Sequence, residues 1–123
     1  MVDKSKRIRL AEGPVLRVTD GDTFVMEYLD LGWGVKIHPV DDGEPGHCAI
    51  RVTLPDEGWF DTPEKTDKVR WSLATEYAKS LLTVGSWVKI KSYGFSVGRT
   101  LASVTLADGR DLATTMIEAG HSK

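Results

Sequence analysis

Hydrophobic residues in the first half of the chain alternate with polar ones in short runs, a pattern typical of β-strands. Residues 14–29 contain two such runs, one on each side of Asp20-Gly21, and Asp-Gly is a common hairpin turn. Residues 48–54 form a further β-prone run, which ends at Pro55. We therefore predict a hairpin followed by another strand.

After residue 63 the spacing of the apolar residues changes from two to about four. The residues of this apolar stripe are Val69, Leu73, Ala74, Tyr77, Ala78 and Leu81. Apolar residues at this spacing predict an amphipathic α-helix, a type of helix that packs its apolar side against the core. Gly85 follows the stripe and is expected to close the helix.

Two more strands and a short helix complete the pattern. Residues 87–93 alternate apolar and polar positions, residues 101–106 do so less regularly, and residues 111–119 place apolar residues three and four apart. Strands, a helix, two strands and a second helix follow one another as in a small OB-type barrel. We predict an α+β, mainly β fold, a five-stranded OB-fold-type barrel with one long and one short helix packed outside.

The length and composition fit one domain. The chain has 123 residues, 41% of them hydrophobic, which is enough for a single core. We assign residues 1–12 to a flexible N-terminal segment and residues 13–123 to the domain. Gly, Pro, Asp and His dominate between residues 30 and 47, so we predict an inserted loop there, with a short alternating piece at residues 35–37.

Several classes of protein are excluded. The single cysteine, Cys48, cannot form an intrachain disulfide, and together with the three histidines it lacks the spacing of a zinc site. No run reaches the roughly 20 apolar residues that span a bilayer. Residues 1–10 are rich in Lys and Arg, but the apolar stretch of a signal peptide does not follow them. We expect a cytoplasmic protein with no membrane partner.

Two short acidic segments carry the candidate chemistry, DGDT at residues 20–23 and DTPE at residues 61–64. Calcium and magnesium prefer oxygen ligands, which both segments offer. Asp22 would start one strand and Asp61 would end another, so the fold can hold both carboxylates in place. Each segment also has a structural interpretation, because Asp-Gly is a common turn and DTPE resembles a helix N-cap with Pro and Glu in the first turn.

These two segments and GRTLA at residues 98–102, in this order, resemble the signature segments of the staphylococcal-nuclease-like (thermonuclease) family. The resemblance runs from about Val15 to Gly120 and includes the helix after the second segment and the final turn and helix. It implies an OB-type barrel over residues 13–123 and a calcium requirement. It also implies endonucleolytic hydrolysis of DNA and RNA that leaves 3′-phosphates.

The same resemblance implies a role for each site residue. Asp22 and Asp61 become carboxylate ligands of one calcium ion, and the backbone carbonyl of Thr62 becomes a third ligand. Glu64 becomes the group that activates or orients the attacking water. Arg99 becomes one of two guanidiniums that hold the phosphate, a role that suits a planar cation beside developing negative charge.

The second arginine is harder to place. The family has it five residues before the aspartate of the second segment, where this chain has Asp56. Arg51 is the candidate, because it lies between apolar strand residues, but residues 55–59 then form an insertion. If the insertion bulges outward, Arg51 reaches the site; if it shifts the register, Arg51 is a half-exposed strand residue that turns away.

The groups that would bind the nucleotide also differ from the family. Its lysine and tyrosine before the Gly-Arg pair correspond to Ser96 and Val97. Tyr93, Phe95 and Trp59 are candidate stacking surfaces for bases, and packing within the barrel is the alternative for Tyr93.

We predict a calcium-dependent endonuclease, a monomer that acts on single-stranded or locally open DNA or RNA. The alternative is a catalytically weak or inactive OB-fold module that binds nucleic acid or protein. The formal charge of −2 and the sequence pI of about 5.9 provide no overall positive field and favour that alternative. The acidic segments favour the enzyme.

Overall fold

Strands make up most of the regular structure. The computed structural model describes residues 9–32, 36–37, 48–55, 58–96 and 99–122. In chain order the elements are β1 (Arg9–Asp20), β2 (Thr23–Met26), β3 (Leu29–Asp30), β4 (Lys36–Ile37), β5 (Cys48–Val52), α1 (Lys68–Leu81), β6 (Trp87–Ser96), β7 (Arg99–Thr105) and α2 (Leu112–Glu118).

Five of the strands close a mixed barrel. β1 pairs antiparallel with β2 and β6, β2 with β5, and β6 with β7, while β5 and β7 run parallel. Closure depends on the length of β1, because residues 9–14 pair with β6 and residues 15–20 pair with β2. α1 packs on β1, α2 packs on β7, and the helices touch each other. This architecture belongs to the OB-fold-like α+β class and confirms the predicted barrel with two helices outside.

The barrel interior and α2 share one apolar core. Its largest fully buried side chains are Phe24, Phe60, Met26, Ile50, Leu112, Met116, Val15, Val25, Val52, Val88 and Val104. Burying a side chain of this size contributes about 1.5–3 kcal/mol. The side chain of Asp111 caps α2 by accepting the backbone N–H of Thr114 at 2.9 Å, and this fixes where the helix starts over the core.

The domain begins earlier than the boundary predicted at residue 13. Residues 9–12 belong to β1 and pair with β6, so the predicted flexible segment is wrong for them. The apolar alternation is faint there because the inward-facing side chain is the small Ala11, whereas Leu10 is 71% exposed. Residues 1–8 lie outside the described residues.

Only part of the predicted insertion at residues 30–47 is described. Within it, residues 36–37 form β4 and pair with β3, which in turn pairs with β1 at Glu12 and Asp30. The alternating piece predicted at residues 35–37 is thus a strand at residues 36–37. Residues 33–35 and 38–47 lie outside the described residues.

α1 confirms the predicted helix but not the predicted buried face. Val69 is 71% and Leu73 58% exposed, whereas Ala74 and Ala78 are buried. A strict spacing of four residues advances by about 400°, so a line drawn from Val69 drifts by about 40° at each step and reaches the core only near its end. The small alanines let the helix lie close to the barrel. Neither helix of the described part is long and apolar enough to cross a bilayer.

Substitutions on α1 test which face is buried. We expect Ala74→Leu to lower the free energy of unfolding by about 1–3 kcal/mol, because the extra atoms enter a filled core. The neighbouring Leu73→Gln should change it by no more than about 0.5 kcal/mol, because that side chain is exposed and both residues favour helices. Urea denaturation measures both values. A larger loss for Leu73→Gln than for Ala74→Leu would show that the face is assigned incorrectly.

Candidate functional site

The turn between β1 and β2 carries the first acidic segment. Asp20 pairs with Thr23 across the turn, and the carboxylate Oδ1 of Asp20 accepts the backbone N–H of Asp22 at 3.1 Å. Gly21 is needed here for space. A Cβ at Gly21 would lie 2.9 Å from Cγ2 and 3.0 Å from Oγ1 of Thr62. Without that atom, the second acidic segment can lie directly against the turn.

Asp22 joins the two acidic segments. Its Oδ2 accepts the backbone N–H of Thr62 at 3.2 Å and the Thr62 hydroxyl at 3.0 Å, and its Oδ1 accepts the Thr23 hydroxyl at 3.1 Å. Asp22 is 8% exposed and Thr62 3% exposed. α1 begins at Lys68 with Asp67 as its N-cap. The helix N-cap interpretation of residues 61–64 is therefore wrong, and the segment instead contacts the hairpin.

Arg51 reaches the same place from β5, where it pairs with Thr23 of β2. Its Nη2 lies 3.6 Å from Oδ2 of Asp22 and 3.4 Å from Oδ1 of Asp61, and its Nη1 donates to the Val52 carbonyl at 3.1 Å. The residue is 5% exposed. Of the two alternatives for Arg51, the structure shows the one in which the side chain enters the site.

Asp20 and Asp22 have pKa values that are shifted in opposite directions. Burial, together with the hydrogen bond to Asp22 and the charge of Asp22, raises the pKa of Asp20 to about 6. Burial also acts against ionisation of Asp22, but hydrogen bonding with Asp20 and the charge of Arg51 outweigh it and lower the pKa of Asp22. Asp22 is therefore the ionised member of the pair, and Asp20 holds a proton up to weakly acidic pH.

Arg99 is connected to Asp22 through Thr23. It starts β7, and its Nη1 donates to the Thr23 hydroxyl at 3.2 Å, while that hydroxyl donates to Asp22. Thr23 belongs to the first acidic segment but is not among the predicted site residues. Both predicted arginines thus lie beside Asp22, one in direct contact and the other through a hydroxyl.

Glu64 lies on the exposed turn that leads into α1. Its backbone carbonyl accepts the N–H of Asp67 at 2.9 Å, and its side chain is exposed two residues after the buried Thr62. Its carboxylate is therefore accessible to water.

The three residues predicted to stack on bases are Tyr93 and Phe95 on β6 and Trp59 before the second acidic segment. The Tyr93 hydroxyl donates to the carbonyl of Pro55 and lies 3.4 Å from the Ser103 hydroxyl, so Tyr93 holds the insertion that follows β5. The backbone of Phe95 pairs with Thr100 in β7; its side chain lies outside the described residues. Trp59, at the end of the insertion, has its ring centroid 4.5 Å from Cζ of Arg51.

The carboxylate oxygens of Asp22 and Asp61 are ligands of the type that hard divalent cations prefer. The Thr62 N–H and Arg51 Nη2 each contact both Oδ2 of Asp22 and Oδ1 of Asp61, so the two carboxylates converge. Among the described residues, no group of three or more His, Cys, Asp or Glu side chains is arranged to hold a metal. The guanidinium of Arg51 contacts both carboxylates, so the oxygens that would hold a cation now have this charged partner.

Comparison with protein-family models and with curated proteins gives no match for this chain. The family resemblance therefore depends on the three segments and on their order along the chain.

The close contact between Gly21 and Thr62 can be tested by a double-mutant cycle. We expect Gly21→Ala to lower the free energy of unfolding by about 1–3 kcal/mol, because the new Cβ meets Thr62. Thr62→Ser removes Cγ2, the nearest atom, so the double variant should lose less than the two single variants together. Urea denaturation of the four proteins gives the coupling. Additive losses would show that the two residues are not in contact.

The raised pKa of Asp20 predicts that Asp20→Asn stabilises the protein at alkaline pH. A folded-state pKa of about 6, above the ordinary 3.8, favours folding below about pH 4, and this contribution is lost as the pH rises past 6. Asparagine keeps the acceptor for the Asp22 N–H and does not ionise. In calcium-free buffer, the variant should resist urea better than the wild type at about pH 8 and similarly at about pH 4.

Asp30→Asn is the matched control for Asp20→Asn. The Asp30 carboxylate accepts the N–H of Gly32 at 2.8 Å, again two residues later, but on the exposed surface. We expect this variant to show no comparable gain in resistance to urea at pH 8. Equal gains for both variants, or no gain for Asp20→Asn, would contradict the assigned pKa of Asp20.

Proposed function

We propose that the protein is a calcium-dependent endonuclease of the staphylococcal-nuclease-like family, which hydrolyses DNA or RNA and leaves 3′-phosphates. One observation carries this proposal: three segments that resemble the family's signature, far apart in the sequence, meet around Asp22. Thr62 and Arg51 contact Asp22 directly, and Arg99 is connected through Thr23. Carboxylates and guanidiniums side by side suit phosphodiester cleavage, because carboxylates can hold a metal ion and both the ion and the guanidiniums stabilise negative charge on the phosphoryl oxygens.

In the proposed mechanism, Asp22, Asp61 and the carbonyl of Thr62 would hold one calcium ion. When bound, the ion would supply positive charge where the phosphoryl oxygens become more negative in the transition state. Arg51 leaves the carboxylates and, with Arg99, holds the phosphate through planar N–H donors. The low pKa of Asp22 keeps that carboxylate ionised at neutral pH.

Glu64 would act on the attacking water. Its carboxylate either takes a proton from the water or holds the water in line with the phosphorus. The water oxygen bonds to phosphorus while the bond to the 5′ oxygen breaks, and that oxygen takes up a proton as it leaves. The phosphate stays on the 3′ side. The exposed position of Glu64 gives the water direct access.

A second candidate function is a catalytically weak or inactive OB-fold module that binds nucleic acid or protein. The observation in its favour is that Arg51 contacts both Asp22 and Asp61. In this case the guanidinium compensates the charge of the buried Asp22 and also contacts the half-buried Asp61. The cluster is then structural, because removing one partner of a buried ion pair is strongly destabilising.

The nuclease proposal is tested by digesting single-stranded DNA with the purified protein in calcium and in a chelator. We expect cleavage only with calcium and products that carry 3′-phosphates. Glu64→Gln should lower kcat by about 100-fold or more, because the acid–base group is lost. Arg99→Ala should lower it by a similar factor, because one donor to the transition state is lost. Initial rates on a labelled oligonucleotide measure both effects.

Two exposed residues outside the site provide matched controls. Glu76 lies on α1, 3.5 Å from the ammonium of Lys79, and Arg110 pairs with Asp108 at 2.8 Å. Glu76→Gln and Arg110→Ala should cleave like the wild type. Cleavage that persists in chelator, or no calcium-dependent cleavage by the wild type, would refute the nuclease. Oligonucleotide binding without turnover would then support the binding module.

A further inference from the structure

Trp59 is an exposed aromatic residue that covers a buried cation. The residue is 70% exposed. The ring centroid lies 4.5 Å from Cζ of Arg51, whose residue is only 5% exposed. At this distance the ring interacts with the guanidinium as a cation–π pair. One part of the ring is thus occupied by Arg51, and most of the residue is open to solvent.

The described residues on both sides of Trp59 are anchored. The carbonyl of Gly58, directly before it, accepts the Leu54 N–H at 2.9 Å. Phe60, directly after it, is 2% exposed in the core. The Tyr93 hydroxyl also donates to the carbonyl of Pro55. Because the backbone is anchored on both sides of Trp59, ordering this residue costs little entropy when a ligand binds the ring.

The ring is also next to the candidate site. The guanidinium that it covers is the one that contacts Asp22 at 3.6 Å and Asp61 at 3.4 Å. A single side chain therefore separates the indole from the converging carboxylates. A nucleotide whose phosphate lies at the carboxylates and arginines would have its base within reach of this ring.

We propose that Trp59 is a stacking platform for one unpaired nucleobase of a single-stranded nucleic acid bound at the site. The inference rests on the proposed function. Every base has a π face, so a platform of this kind tolerates different sequences and adds affinity near the phosphate. A paired base has its faces covered by its neighbours, and the platform therefore selects single strands. Trp59 is a substrate-positioning residue and takes no part in bond cleavage.

A thermodynamic cycle tests this proposal by combining removal of the Trp59 ring with removal of single bases from the bound strand. All protein variants in this experiment also carry Glu64→Gln, which slows cleavage of the oligonucleotide enough for binding to be measured. The probe is a labelled oligothymidylate, used intact and as a series in which each nucleotide in turn is abasic, with calcium present. We expect one abasic position to weaken binding about tenfold, Trp59→Leu to weaken binding of the intact probe about tenfold, and the two changes together to cost little more than either alone.

Two further variants separate stacking from shielding of Arg51. Trp59→Phe keeps an aromatic face and should retain most of the affinity and the abasic effect. Trp87 on β6 is another partly exposed indole, and its N–H donates a hydrogen bond to Glu12. Trp87→Leu should change neither the affinity for the intact probe nor the effect of the abasic position. Three outcomes would overturn the platform: an abasic penalty of equal size with and without Trp59, no penalty at any position, or no binding. Base-dependent binding without cleavage by the wild type would support the platform and refute the nuclease.

Discussion

The site depends on one buried carboxylate, that of Asp22. Removing a carboxylate from water costs several kcal/mol unless hydrogen bonds and a nearby cation compensate for it. Here the compensating groups come from different parts of the chain: the N–H and hydroxyl of Thr62, the hydroxyl of Thr23 and the guanidinium of Arg51. Because these groups stabilise the ionised form, folding brings the hairpin, the second acidic segment and β5 to one point.

Barrel closure determines which side chains meet at that point. Thr23 of β2 pairs with Arg51 of β5, and Arg51 pairs with Leu101 of β7 through the parallel contact. Side chains two residues apart on a strand share a face, so Arg99 lies on the same face as Leu101. The two arginines therefore depend on the β5–β7 pairing, the contact that distinguishes this closed barrel from a simple meander.

Features governed by local periodicity were predictable from the sequence, and features governed by distant contacts were not. Local patterns predict the β1–β2 hairpin, the two helices and the two acidic segments. The exposed position of Val69 was missed because a spacing of four residues drifts around a helix. The need for glycine at position 21 arises from Thr62, far along the chain. The local Asp-Gly pattern indicates only a turn. The pairing of Arg51 with Thr23 and Leu101, which decides where Arg51 points, joins residues far apart in the chain and leaves no local periodic signal.

Arg51 connects the two carboxylates with the proposed base-stacking residue, because one guanidinium contacts Asp22, Asp61 and the ring of Trp59. A cation bound by the two carboxylates would compensate the charges that hold Nη2 there. The phosphate of a bound strand would then offer the guanidinium a new bidentate partner. Under the proposed function, ion binding and strand binding therefore favour each other through this side chain, and in their absence it compensates the charge of the buried Asp22.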